Sequence, residues 1–217
     1  MSISTVYWRD WPEQQLASFQ QDQGKTNHCA KYAAASALNM LYGTEISGDK
    51  LVEWVETRTL KGTGSYTILG NHNGSLVFQT ANLIRKLSAQ NGLIPRVSSG
   101  FGTKADLRHR LWDGNSLTLI SVTYLEGREP VIAQGSAISN SLGSTRYVGG
   151  HLMVLGAYDP GHSNEVGVST PWGFLSSWPS QGYLFWMTED DFSRTWGKLS
   201  FFNIITVQRS LGIEGKE

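Results

Sequence analysis

The stretch Gln23-Gly24-Lys25-Thr26-Asn27-His28-Cys29-Ala30-Lys31-Tyr32-Ala33-Ala34-Ala35, QGKTNHCAKYAAA, holds the single cysteine of a 217-residue chain. From Cys29 onward, CAKYAAASALNMLYG repeats Ala, Leu and Met on recurring helical faces and is rich in the strongest helix former. It then reaches Gly43, a residue suited to the left-handed position past a helix end. The pattern predicts a helix over about 29–42 with Cys29 at its N-terminus. A thiol there meets the partial positive charge of unpaired backbone N–H groups, which favours the thiolate that nucleophilic chemistry needs. A cysteine can equally be a small buried hydrophobe, so the rest of the chain has to supply a base and an oxyanion site.

Outward from this helix, Ser47 is placed to cap a second one in SGDKLVEWVETRTL. SLVFQTANLIRKLSAQNG repeats the pattern with Leu76, Thr80, Leu83, Ile84 and Leu87 inward, and Thr103 caps a short fourth through KADLRHRL. After Asp113-Gly114-Asn115 the character changes. SLTLISVTYL, EPVIAQG, RYVGGHLMVLGAYD, EVGVST, GYLFWMT and FFNIITVQ are β-branched or aromatic runs separated by turn residues. Helices followed by strands predict an α+β protein, read as one domain over 1–217 with a helical lobe at about 1–112 and an antiparallel β lobe at about 113–217.

Bulk properties narrow the function. Eighteen Lys plus Arg balance eighteen Asp plus Glu, so no excess charge attracts nucleic acid or an anionic membrane surface. No run approaches the roughly 18 apolar residues of a membrane span, and the start has no secretory pattern. One cysteine forms no intrachain disulfide, and no HExxH, CxxC or carboxylate cluster points to a metal or other cofactor. A cytoplasmic setting is the expectation, or a secreted one if an export signal has been trimmed.

Five histidines are candidates for the base. Helix-start neighbours diverge by about 100°, which sets His28 aside. His72 and His162 fall in turn-like contexts, and His109 in the charged run DLRHR. His151 differs: Gly149 and Gly150 precede it, leaving room for a substrate backbone, and the apolar strand LMVLGAY follows. Gln23, six positions before Cys29, can supply an oxyanion donor together with the Cys29 N–H, and Gly24 permits the turn that brings it back.

These residues resemble the papain-like cysteine peptidase superfamily, closest to compact bacterial members related to bacteriocin-leader-processing peptidases. QGKTNHC and GGHLMVLGAYD carry the resemblance, which spans about residues 20 to 190. It implies a thiol hydrolase acting on peptide amides through Cys29 and His151, with Gln23 at the oxyanion. Its orienting Asn or Asp position, just before a Trp-Gly pair, falls in EVGVSTPWGF on Thr170, a weaker acceptor. Trp172 would shield the base, and Gly150 and Trp172 would contact the substrate. Other readings are an impaired papain-like module that binds peptide or glycan, a cell-wall endopeptidase or amidase, and an acyltransferase. A hairpin or flap over the cleft is expected within Glu126 to Ser144.

Overall fold

Alanine dictates how the molecule is built. A helix with five alanines in fourteen residues can be approached closely by its neighbours, and Cys29–Tyr42 (α2) is buried on all faces, from Ala30 through Leu41. The computed structural model describes residues 4–24, 26–59, 75–124, 132–133, 149–164, 167–178 and 182–210. Within them α2 packs on helices Gly48–Thr59 (α3) and Val77–Gln90 (α4) and on the sheet. Gly43 ends α2 in the left-handed conformation, φ 69°, with its N–H donating to the Asn39 carbonyl, as the sequence predicts. The short helix Glu13–Ala17 (α1) precedes α2, and Lys104–Asp113 (α5) starts at Thr103, whose hydroxyl accepts from the Asp106 N–H.

The sheet is antiparallel at every described pairing. Its strands are Val6–Tyr7 (β1), Pro95–Phe101 (β2), Ser116–Tyr124 (β3), Ile132–Ala133 (β4), Gly149–Tyr158 (β5), Trp172–Leu175 (β6), Phe185–Met187 (β7) and Asn203–Arg209 (β8). They run in the order β2-β8-β3-β5-β6-β7-β4, with β1 also paired to β5. Helix Glu189–Phe192 (α6) and a π-helical turn over Ser193–Lys198 separate β7 from β8. The fold is thus α+β, with α2 lying against β5 and β3. β5 is apolar along nearly its whole length and buried from His151 to Tyr158, as a central strand covered on both faces requires.

Three elements depart from the sequence expectations. Pro95–Phe101, within the part expected to be helical, is a strand at the sheet edge, where its proline costs no ladder bond. Trp172–Leu175, expected to follow a strand, is itself the strand β6. Leu76, expected inward, is 48% exposed because it is the N-cap of α4 and not a member of its buried face.

Candidate active site

Two elements that are remote in sequence meet at one cleft. The N-terminus of α2 and the first turn of chain in β5 bring Cys29, Gly150 and His151 to a common cavity of about 490 Å³. Ser75, Leu76 and Thr80 from the α4 region, Ser121 and Thr123 of β3, and Ser200 and Phe201 before β8 complete its walls. The lining side chains among the described residues carry no acid, lysine or arginine.

Cys29 is partly exposed as a residue, but its sulfur is enclosed by protein. Burial therefore pushes the thiol up from its ordinary value, while the backbone N–H groups of Leu152, Ala30 and Cys29 itself, together with Lys31, pull it down. The sulfur thus lies against the backbone of the residue that follows His151, within a cluster of N–H donors at a helix start. His151 is 1% exposed, and burial lowers it to about 3. Its Nε2 lies 3.1 Å from the Ser176 hydroxyl. One face of the ring is covered by Trp178, with centroids 3.7 Å apart and planes 4° from parallel. At neutral pH the imidazole is uncharged, and protonation has to occur in a nearly water-free enclosure.

No family model and no curated protein matches the chain. Among solved structures, a crystal structure from Bacillus anthracis, whose protein is provisionally named a C39-like peptidase, superposes with a TM-score of 0.55 at 11% identity. The match covers 95% of this chain and 98% of the other. The chain thus shares the α+β, papain-like fold of that protein. At this identity the likeness speaks for the fold, and the roles of individual side chains rest on their own geometry.

Thr170, the third member that the sequence suggested, does not meet His151. Thr170 is fully buried, but its hydroxyl is 2.8 Å from Nδ1 of His162, which stacks on Trp186 at 3.8 Å. The ladder explains why. Tyr158 pairs with Trp172 and Val154 with Leu175, so Thr170 lies beyond the far end of β5, about nine strand positions or roughly 30 Å from His151. Carrying the register past Leu175 brings residues 176–178 level with His151, where Ser176 and Trp178 are found. Trp172 likewise does not cover His151. Its ring packs on Tyr158 and Phe192, and its indole N–H donates to Glu189. The phrase Ser176-Ser177-Trp178 was available in the sequence. Choosing it over PWGF required knowing where β6 begins.

Gln23 is 3% exposed and fixed on three sides. Its backbone N–H donates to the Ser177 carbonyl at 2.9 Å, its side-chain N–H to the Thr26 carbonyl, and its side-chain oxygen accepts from the Ser177 hydroxyl. It does not line the cleft. It ties the loop before Cys29 to the segment that holds Ser176 and Trp178. His28 turns towards α3, with Nε2 3.6 Å from Glu56. His72 and most of the expected flap, Glu126 to Ser144, lie outside the described residues.

Proposed function

We propose that the protein is a cysteine peptidase-like thiol hydrolase that cleaves peptide amide bonds through Cys29 and His151. The observation that carries this reading is the convergence of both residues on one cleft, with the sulfur among helix-start and strand N–H groups. Burial keeps both groups neutral at rest, so proton transfer accompanies attack and no standing ion pair precedes it. Nε2 of His151 faces Ser176, and Nδ1 is the nitrogen we assign to the Cys29 proton. As the S–C bond forms, the Cys29 backbone N–H at the start of α2 receives the oxyanion. His151 then gives its proton to the leaving amine as the C–N bond breaks. Water, deprotonated by His151, hydrolyses the thioester and restores the thiol. Ser176 orients the ring, and Trp178 keeps solvent from it. Gly150 leaves room for substrate backbone beside the base.

The test is cleavage of unfolded casein, a peptide library and purified peptidoglycan by wild type, Cys29→Ala and His151→Ala, with mass-spectrometric mapping of an epoxysuccinyl peptide adduct. Loss of cleavage in both variants and an adduct on Cys29 are expected. Cleavage undiminished in Cys29→Ala would refute the assignment. Nε2 of His151 meets the Ser176 hydroxyl, a weaker orienting group than the Asn or Asp that the resemblance implies, which favours a second reading: a binding module without turnover. Saturable peptide binding with no cleavage by wild type would select it.

A further inference from the structure

The sequence reads FFNIITVQ as one strand, yet β8 begins only at Asn203. Phe201 and Phe202 before it hold φ at 52° and 57°. Two successive residues with a Cβ in the left-handed region are costly, and glycine would adopt it freely, so the surroundings must hold the turn. Phe202 is its anchor. The Phe202 N–H donates to the Trp196 carbonyl at 3.0 Å, and its carbonyl accepts from the Gly102 N–H at 3.1 Å. Its ring packs edge-on against the fully buried Trp196 and over Gly197, where a Cβ would stand 2.9 Å from it. On the other flank the Ser200 hydroxyl lies 2.8 Å from that of Thr123 in β3, and the Ser200 carbonyl accepts from the backbone and side-chain N–H groups of Asn203. Fixed on both sides, Phe201 is left 70% exposed while it lines the cleft that holds Cys29 and His151. Backbone strain persists where the surroundings over-determine it, and it gathers at binding sites.

Leu76 reaches the same cleft from the start of α4, 48% exposed, with Val77 beside it, and Leu199 joins from the Phe201 segment. With no acid, lysine or arginine among the described lining residues, nothing there compensates the desolvation of a charged substrate side chain. We propose that Phe201 is a specificity-determining residue, whose ring, together with Leu76, receives a bulky apolar side chain of the peptide substrate. This rests on the reading of the cleft as the substrate site of a peptide hydrolase. An apolar side chain seated there removes from water the surface that Phe201 and Leu76 leave exposed. A single methylene in such a subsite changes selection by about tenfold or more, so the larger step from Ala to Leu should be worth at least that.

The experiment measures, by fluorescence anisotropy, dissociation constants for labelled Gly-Ser octapeptide amides that carry Leu, Ala, Asp or Lys at one position, each position in turn. The proteins are the full chain with Cys29→Ala, which consumes no peptide, and the same chain with Phe201→Ala or Phe201→Asp added. At one position Leu should bind at least about tenfold more tightly than Ala, with Asp and Lys no better than Ala. Phe201→Ala should bring Leu and Ala within about threefold of each other. Phe201→Asp should favour Lys over Leu at that position, an exchange of preference that a merely structural role would not produce. Equal binding of Leu and Ala at every position, or a Leu preference undiminished in either variant, would overturn the proposal. Should Phe201→Ala fail to fold, Phe201→Gly, which removes the ring and relieves the backbone, takes its place. Wild type is assayed for cleavage of the same peptides. A Leu preference that depends on Phe201, without cleavage, would sink only the peptidase reading, and cleavage without that preference would sink only the role of Phe201.

Discussion

Replacing His151 with glutamine should make the protein less sensitive to acid, although it removes a core residue. His151 falls from an ordinary value of 6.5 to about 3 in the folded state because burial penalises the imidazolium. With the folded value depressed, the unfolded chain takes up a proton that the folded chain refuses. The stability that the neutral ring allows is complete above about pH 6.5 and is lost as pH falls from there towards 3. Each pH unit in that window is worth about 1.4 kcal/mol, so wild type should lose about 2 kcal/mol at this site between pH 7.5 and pH 5. The figure holds for any folded value below about 4. His28 and His162 are also lowered by burial, but they are common to both proteins and cancel. Urea unfolding of wild type and His151→Gln at the two pH values measures the difference directly. The stability gap between them should shift in favour of the variant by about 2 kcal/mol on acidification. Parallel losses would refute a buried, neutral His151, as would an NMR titration of the ring with a midpoint near 6.

Ser176→Ala removes the hydroxyl 3.1 Å from His151 Nε2, a bond worth about 1 kcal/mol, and should lower kcat/KM for peptide cleavage roughly fivefold. Thr170→Val should leave cleavage unchanged and cost about 1–2 kcal/mol in urea unfolding, because its buried hydroxyl serves His162. Gly48→Ala would place a Cβ 2.4 Å from the Tyr32 ring, and should cost roughly 1–3 kcal/mol by thermal or urea unfolding. Phe201 holds φ at 52° and is 70% exposed as a residue, so Phe201→Gly should raise stability by about 1 kcal/mol. A fall in Tm would refute that account of the turn.

Local signals were strong wherever one segment sufficed. The 29–42 helix is legible because alanine, the periodic Leu and Met and the closing Gly43 all act within one stretch of chain. The same holds for the Thr103 cap and for β5 with its two leading glycines. Ser176 and Trp178 were not legible because the pairing of β5 with β6 assigns them, and two Trp-containing phrases six residues apart compete for one role. Lys31 was hidden for a similar reason: on a helix it reads as a solvated cation, yet in α2 it is fully buried.

By itself the sequence determined the α+β class, the helix that begins at Cys29 and the strand that carries His151, since hydrophobic period and turn chemistry act over a few residues. Tertiary structure alone decided which side chains face the imidazole, where Gln23 is tied and that Lys31 lies buried. Those facts follow from strand register and from exclusion of water between elements far apart in the chain, and no local pattern encodes either one.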